Sequence, residues 1–281
     1  MAAPFPDRVV HAALVRVLEP VFEPGFTNDT YACGTGKGTH AALDRLSHFL
    51  RKRAAVYCLK CDISKFFASI DHTRLREILG RRIKDPNVLW LCDRIVDSFR
   101  TPPHLAPLFP GDDLFTRHNR PCGLPIGNLS SQLWSTLALD PMDRFIKQEL
   151  HCRYYVRYAD DFVILDASKE RLQDVLRALR RFLVAERLRL APEKCRVFPA
   201  RLGIDFLGFM CFRGYRLLRK SSGERFRKRL RALRRAFARG ELSTDELGPP
   251  IQSWISHAAF GKTWGFRRSL LSKTVFVRKR E

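Results

Sequence analysis

The segment VRYADDFVIL (156–165) places two adjacent carboxylates, Asp160 and Asp161, inside a run of apolar residues. A carboxylate beside a hydrophobic core is costly unless it is paired or bound to a metal. Successive side chains of a strand point to opposite faces, so the two carboxylates cannot meet within one strand. They can converge in a tight turn between two short strands, and Asp also favours exposed turns. The segment therefore predicts a hairpin that is either a carboxylate site or a plain surface turn.

A third carboxylate, Asp62, ends another strand-like run, VYCLKCDI (56–63). It lies far from Asp160 along the chain, so the two can meet only through the fold. Three carboxylates at strand ends can hold two Mg²⁺ ions about 3.5–4 Å apart, which stabilise both oxygens of an in-line phosphoryl transfer. The pattern is compatible with such a site, although a bare pair of adjacent aspartates fits an exposed hairpin turn better.

The rest of the chain alternates helical and strand-like patterns, which predicts an α+β fold. Helices are expected over 8–19, 41–53, 73–82, 87–99, 128–150 and 168–185. Strands are expected over 153–165, 194–198 and 203–212, and the proline-rich residues 101–127 are expected to form loops.

Charge indicates the class of partner. Lys and Arg number 51 against 29 Asp and Glu, a formal net charge of +22, which favours a polyanion such as nucleic acid. The composition changes after Tyr215, where residues 216–240 predict a densely basic helix. We therefore expect one domain over 1–215 and a second over 216–281. The simpler interpretation of this basic helix is a charged face exposed to solvent, without a nucleic-acid partner.

Localisation signals are absent from the sequence pattern. The N-terminus, MAAPFPDRVV, lacks the apolar core of a secretory signal, and no uncharged stretch reaches membrane-spanning length. Cys58 and Cys61 form one CxxC pair within a predicted strand, without a second pair at zinc-site spacing. These features favour reduced thiols, a cytoplasmic protein and no membrane partner.

Six segments resemble the motifs of reverse transcriptases, and they follow one another in the order of those motifs. The YADD hairpin resembles the catalytic hairpin, and CDISKFFASIDH (61–72) resembles the first metal-binding motif. The other matching segments are TYACGTGKGTH (30–40) in the fingers, GLPIGNLSSQ (123–132), LAPEKC (190–195) and the primer-grip segment IDFLGF (204–209). Together these segments cover roughly residues 8–215.

This resemblance implies a right-hand polymerase with fingers and palm over 1–215 and a helical basic thumb over 216–281. It implies RNA-directed DNA synthesis with an RNA template, a DNA or RNA primer, dNTPs and two Mg²⁺ ions. Asp62, Asp160 and Asp161 would be catalytic and would bind the metals together with the backbone carbonyl of Ile63.

The resemblance also assigns residues around the substrates. Those expected near the nucleotide are Lys37, Phe67, Ile126, Gly127 and Lys194. Those expected near primer and template are Ser131, Gln132, Phe206, Leu207 and Gly208. Phe67 would be a steric gate against the 2′-OH and Lys194 would bind or protonate the leaving pyrophosphate. Each also has a plain reading, because Phe67 can be a core residue, Lys194 a surface lysine and residues 206–208 a core hairpin.

A finer resemblance concerns the segment IGNLSSQ. Most reverse transcriptases carry a Gln-Gly…Ser-Pro pattern there, whereas this chain has Ile126-Gly127 and Ser131-Gln132. That version, together with the segment YAC…GKGTH (31–40), is similar to the enzymes of diversity-generating retroelements, which copy RNA with errors at adenines and work with a small basic accessory protein. One departure is Gly34, which stands where the family usually has an Arg that helps to hold the triphosphate.

Other readings stay open. Another bacterial reverse transcriptase, intron-encoded or from phage defence, shares the same motifs. A catalytically silent RNA-binding relative is disfavoured by the intact carboxylates, and an RNA-dependent RNA polymerase by the bulky Phe67.

Overall fold

The computed structural model describes residues 3–113 and 115–278, which divide into two compact units, Met1–Ala200 and Arg201–Glu281. Mixed helices and sheets confirm the predicted α+β class. The first unit ends at Ala200, earlier than the expected boundary at residue 215, and the strands that follow residue 203 pair with one another. The functional division into fingers, palm and thumb stays a prediction.

The first unit contains a four-stranded antiparallel sheet in the order β2-β3-β1-β4. Its strands are β1 (Tyr57–Cys61), β2 (Tyr154–Tyr158), β3 (Asp161–Asp166) and β4 (Arg196–Pro199). β1 lies in the middle and pairs with β3 and β4, and β3 also pairs with β2. The strands predicted before residue 203 therefore form one sheet, in which the last residue of β1, Cys61, pairs with Phe162 near the start of β3.

Helices surround this sheet. They are α1 (Phe5–Phe22), α2 (Thr39–Leu50), α3 (Phe66–Ser69), α4 (His72–Arg82), α5 (Pro86–Asp97), α6 (Thr116–Asn119), α7 (Leu129–Arg144) and α8 (Lys169–Ala185). The sequence explains where several begin, since the side chains of Asp71, Asp85 and Ser168 cap α4, α5 and α8. α7 continues as a π-helical turn, Phe145–Glu149, so the helix expected over 128–150 is present with a changed last turn.

The main hydrophobic core lies on one face of this sheet. Leu59 of β1 and Phe162 and Ile164 of β3 are almost fully buried there. Helix α8 adds a buried stripe at helical spacing, which includes Leu172 and Leu179. This packing holds the strand ends in place, and with them the carboxylates that follow.

The second unit combines a small sheet with three helices. Strands β5 (Ile204–Phe206), β6 (Phe209–Phe212) and β7 (Tyr215–Leu218) are antiparallel neighbours, followed by α9 (Lys220–Ala238), α10 (Thr244–Ala259) and α11 (Trp264–Leu271). The helix predicted over 216–240 is thus wrong at its start, because residues 216–218 belong to β7 and pair with β6. Phe226 of α9 stacks on Trp254 of α10 with ring centroids 3.8 Å apart.

Among residues 3–113 and 115–278, no helix combines the length and the apolar character needed to cross a membrane.

Candidate active site

The YADD segment forms a tight hairpin. β2 and β3 pair up to Tyr158 and Asp161, so only Ala159 and Asp160 form the turn between them. Ala159 has a φ of 53°, a left-handed conformation that is uncommon for a residue with a side chain. Adjacent side chains within one strand would point to opposite faces of the sheet. Because Asp160 lies in the turn and Asp161 begins β3, the two residues do not alternate along one strand.

Asp62 joins these two carboxylates through the register of β1. Cys61 pairs with Phe162, so the next residues along the strands, Asp62 and Asp161, lie side by side. Burial raises the pKa of Asp160, and the negative charge of Asp62 raises it further. Burial likewise raises the pKa of Asp161 to about 6, with added repulsion from Asp62 and Asp160. The three predicted catalytic carboxylates therefore lie close enough to repel one another.

Two lysines accompany the carboxylates. Lys60 Nζ lies 2.5 Å from Asp161 Oδ1, and Lys194 Nζ lies 2.9 Å from Asp62 Oδ2. The hydrogen bond to Asp62 raises the pKa of Lys194, which keeps its ammonium group charged. Lys194 was expected from the sequence, whereas Lys60 was not. Strand alternation is the signal that reveals Lys60, since residues two apart in β1 share a face with Asp62.

The donor chemistry of the site fits Mg²⁺, which prefers carboxylate oxygens. In the part of the chain that the structure describes, however, no three Asp, Glu, His or Cys side chains are already arranged around one metal position. The ammonium groups of Lys60 and Lys194 supply the neutralising charge for Asp161 and Asp62 in this arrangement. Ile63 is 1% exposed and forms an isolated antiparallel bridge with Leu190.

Backbone hydrogen bonds hold the LAPEKC segment beside Asp62. The amide of Ala191 donates to the carbonyl of Asp62 at 2.8 Å, and the amide of Ser64 donates to the carbonyl of Arg189 at 2.8 Å. A short 3₁₀ turn, Pro192–Lys194, then directs Lys194 toward the carboxylates. The contact between Lys194 and Asp62 thus follows from main-chain pairing between segments far apart in sequence.

Phe66 and Phe67 differ in burial, which bears on whether either ring is a core residue or a steric gate. Phe66 is 2% exposed within the core, whereas Phe67 is only partly buried. The amide of Leu124 donates to the carbonyl of Phe67 at 2.7 Å, which joins this segment to GLPIGNLSSQ. Phe67 is therefore the ring of the pair that keeps accessible surface, as a steric gate requires.

The GLPIGNLSSQ segment exposes some predicted residues and buries others. Ile126 is 72% exposed, and Gly127 has a φ of 105°, a conformation that glycine adopts readily. Gln132 is exposed on α7, whereas Ser131 is only 1% exposed. Of these two predicted template residues, Gln132 is therefore accessible, while Ser131 lies within the helix packing.

Gly123 is a structural requirement that the sequence reading did not single out. Its φ is 106°, and a Cβ at this position would lie 2.2 Å from Thr101 Oγ1. The amide of Gly123 donates to the carbonyl of Ile70 at 2.8 Å. The close approach fixes the loop that carries Ile126 and Gly127 against the segment that follows Phe67.

Backbone geometry favours glycine at position 34, in the segment expected to belong to the fingers. Gly34 has a φ of 106°, and a Cβ there would lie 2.6 Å from Glu23 Oε1, which also accepts from the Thr35 amide. Lys37 Nζ donates to the Asn28 carbonyl at 2.7 Å, and burial lowers the pKa of Lys37. The cation at Lys37 is therefore held within this segment, and a side chain at position 34 would be strained.

The residues predicted to form the primer grip belong to the second unit. Phe206 is fully buried, whereas Leu207 and Gly208 form the turn between β5 and β6 with φ values of 49° and 88°. Phe206 therefore lies in the core of this unit beside the turn, whereas Leu207 and Gly208 in the turn keep accessible surface.

Comparison with protein families matches residues 2–211 to the family described as reverse transcriptase (RNA-dependent DNA polymerase). Protein YkfC of Escherichia coli is 24% identical over 256 residues, which cover 77% of this chain and 62% of YkfC. The group II intron-encoded protein LtrA of Lactococcus lactis is 22% identical over 268 residues, covering 73% of this chain and 43% of LtrA. The chain thus spans less than two thirds of the length of these relatives.

Solved telomerase structures share the fold. Apo telomerase from Candida tropicalis, truncated from its C-terminal domain, superposes with a TM-score of 0.51 at 17% identity, covering 76% of this chain and 45% of that one. Telomerase from Candida albicans in complex with a TWJ fragment of telomeric RNA gives 0.51 at 11% identity, covering 96% and 48%. At these identities the likeness concerns the fold alone.

Proposed function

Because this chain belongs to the reverse transcriptase family, we propose that it is an RNA-directed DNA polymerase. It would extend a DNA or RNA primer with dNTPs and copy an RNA template into cDNA. The observation that carries this proposal is the convergence of Asp62, Asp160 and Asp161 at one edge of the sheet.

The same residues define the proposed chemistry. Asp62, Asp160, Asp161 and the Ile63 carbonyl would hold two Mg²⁺ ions. Such ions would stabilise the attacking 3′ oxygen and the leaving oxygen of the nucleotide. Lys194 keeps its proton beside Asp62, so it can bind the leaving pyrophosphate or donate that proton to it.

Primer extension tests the activity. The protein is incubated with a primed RNA, dNTPs and Mg²⁺, with a matched reaction in excess EDTA and another with a heat-treated sample. We expect extension only in the complete reaction, because the carboxylates alone cannot stabilise the charge on the transferred phosphate. Extension that is equal in EDTA would contradict the metal assignment, and none in any reaction would contradict the polymerase assignment.

Further residues would bind the substrates. Near the nucleotide we assign the ammonium of Lys37, the accessible ring of Phe67 and the open backbone at Gly127. For the template and primer we assign Gln132 on α7 and the turn at Leu207 and Gly208. Phe206 and Ser131, which are buried, would support these contacts and not make them.

The second unit would bind the nucleic-acid backbone. α9 exposes eight cations, and four basic residues line a groove of about 410 Å³ within the unit. The groove cations are Arg227, Arg231, Arg234 and Lys273. We assign residues 216–281 to the thumb on this basis, since exposed cations follow phosphates without reading sequence.

We assign the enzyme to the diversity-generating retroelement group, which makes it error-prone at template adenines. The support is Ile126, an exposed apolar residue where most relatives have Gln. Ile cannot supply a hydrogen bond that is lost on mispairing, and apolar contacts discriminate by only about 1–3 kcal/mol.

Sequencing of cDNA tests this assignment. Ile126→Gln should make copying more accurate, most of all opposite adenine, while the control Leu129→Gln changes an exposed apolar residue three positions later. Equal error rates at adenine in the wild type and in Ile126→Gln would contradict the role of position 126.

A small basic accessory protein and a cytoplasmic location complete the proposal. Because this chain itself carries +22, like charges would repel a basic partner, and RNA would have to bridge the two proteins. Co-purification that survives nuclease treatment would contradict the bridge.

A second candidate is another bacterial reverse transcriptase, and the likeness to the intron-encoded LtrA favours it. The cDNA error profile separates the two, because only the retroelement group concentrates errors at adenines. A catalytically silent RNA-binding relative is the third candidate, and template-dependent primer extension would exclude it.

A further inference from the structure

A buried ion pair lies directly behind the catalytic turn. Arg157 of β2 and Asp143 of α7 are both fully buried, and Arg157 Nε donates to Asp143 Oδ1 at 2.7 Å while Nη2 contacts Oδ2. Burying two charges costs free energy that their attraction recovers only with good geometry and further hydrogen bonds. The free-energy cost of burying this pair, two residues from Ala159, therefore has to be offset by the contacts that the two side chains make.

The Asp143 carboxylate is fully satisfied by hydrogen bonds. Besides the two from Arg157, Oδ2 accepts from the Thr30 hydroxyl at 2.8 Å and Oδ1 from the Tyr155 hydroxyl at 2.5 Å. Burial and the charge of Asp143 raise the pKa of Tyr155, so its hydroxyl keeps its proton and donates. Four donors on one carboxylate leave the guanidinium a single orientation.

The third nitrogen of the Arg157 guanidinium, Nη1, faces the turn. Nη1 donates to the carbonyl of Ala159 at 3.0 Å. Ala159 is the residue with the left-handed φ, and Asp160 follows it directly. A hydrogen bond to this carbonyl fixes the peptide plane that joins Ala159 to Asp160.

The register explains why Arg157 does not compete with substrate. Arg157 pairs with Phe162 of the core, whereas Tyr158 pairs with Asp161. Paired residues share a face, so Arg157 points to the core side of the sheet and Asp161 to the opposite side. The ion pair can orient the turn without touching the reacting groups.

On the premise of the proposed function, we propose that Arg157, oriented by Asp143, is a positioning residue that sets the catalytic turn. Supporting partners of metal ligands typically change metal affinity or activity by about 10–100-fold when they are removed. The main chain extends the same contact, because Arg157 N donates to the Asp29 carbonyl and Tyr31 N to the Arg157 carbonyl, each at 2.9 Å. The segment before Lys37 is thereby attached to the strand that carries the turn.

The test compares two conservative variants. Arg157→Lys keeps the buried charge but loses the fork that reaches Asp143 and Ala159 together. Arg120→Lys is the matched control, because Arg120 is 9% exposed, lies 2.7 Å from Asp112 and also donates to a carbonyl, that of Pro107. Three quantities are measured: the thermal unfolding midpoint, kcat and KM for dNTPs in primer extension, and Mn²⁺ binding by electron paramagnetic resonance without turnover.

We expect similar unfolding midpoints for the two variants. Arg157→Lys alone should lower kcat about 10–100-fold at nearly unchanged KM and weaken Mn²⁺ binding by a similar factor. Equal kcat and equal Mn²⁺ binding in the two variants would overturn the proposal. A wild type that neither extends a primer nor binds Mn²⁺ would instead contradict the proposed function itself.

Tyr155→Phe provides the test if Arg157→Lys does not fold. It removes one donor to Asp143 without changing charge or volume greatly, and a lost hydrogen bond of this kind corresponds to roughly a fivefold effect. A folded Tyr155→Phe variant with a severalfold lower kcat would support the proposal. A folded variant with wild-type kcat and wild-type Mn²⁺ binding would overturn it.

Discussion

At the scale of single residues, Phe67 can exclude ribonucleotides only if its ring faces the sugar. The ring is partly exposed, while the neighbouring Phe66 is buried in the core. Phe67→Ala removes the ring, so ribonucleotides should compete at least about tenfold better, which corresponds to about 1.4 kcal/mol. Incorporation from mixed dNTP and rNTP pools measures the change. An unaltered preference would show that Phe67 only fills space beside the core.

His72 gives a prediction about pH. It is fully buried, its Nε2 lies 2.7 Å from the Gly123 carbonyl, and Arg76, Asp97 and Arg100 are the charged groups around it. Burial lowers the pKa of His72 below the ordinary value near 6.5. The unfolded chain therefore binds the proton first as pH falls, and the stability contributed by neutral His72 is lost below about pH 6.5.

Hydrogen exchange of the α4 amides between pH 5 and 7.5 measures this loss of stability. Exchange should accelerate below about pH 6.5 beyond its intrinsic pH dependence. His72→Asn should flatten that extra dependence, and His104→Asn, at an exposed site, should leave it unchanged. The same acceleration in His72→Asn would assign the effect to other groups.

Residue identity alone could not predict every contact of the site. The adjacent Asp160 and Asp161 were recognisable because carboxylates are unusual in an apolar run. The role of Lys60 follows from strand alternation once β1 is known. The partner of Arg157, by contrast, lies on α7, and only tertiary packing brings Asp143 behind the turn.

At the scale of elements, α9 predicts a strong salt dependence of RNA binding. Replacing three of its groove cations by Gln should reduce the slope of log K against log salt by about 2–3, because each lost phosphate contact removes roughly 0.7–0.9. The three are Arg227, Arg231 and Arg234. A control triple with the same charge change lies on the exposed face of α8 and comprises Arg177, Arg180 and Arg181.

Binding isotherms over a range of salt concentrations separate the two triples. The α9 variant should bind more weakly and with a shallower slope, while the α8 variant stays close to the wild type. Equal changes in slope would mean that RNA responds to net charge and not to the groove of the second unit.

Elements with strong local patterns were predicted well. α8 has a Ser168 cap and a regular apolar stripe, and it begins and ends close to the expected residues. The helix predicted over 216–240 was wrong at its start, because residues 216–218 belong to β7 and pair with β6. The local charge pattern carries no information about that pairing. The order of the strands in the sheet likewise depends on contacts between distant segments.

At the scale of the whole molecule, two compact units divide the proposed work. The first contains the carboxylates and the segments proposed to bind the nucleotide, and the second contains the basic groove and the turn at Leu207 and Gly208. RNA affinity and catalysis should therefore be separable by mutation, since the groove cations and the carboxylates lie in different units.

Asp160→Asn in primer extension tests the central claim most directly. Asn keeps the size of the side chain and removes its charge, so the variant should lose about 10³-fold or more in rate, the equivalent of several kcal/mol of metal-dependent stabilisation. RNA binding should stay within about twofold, because the basic surface is unchanged. Asp174→Asn, at a carboxylate that is 66% exposed on α8, should extend the primer as the wild type does. Extension by Asp160→Asn at the wild-type rate would contradict the catalytic role of the three carboxylates.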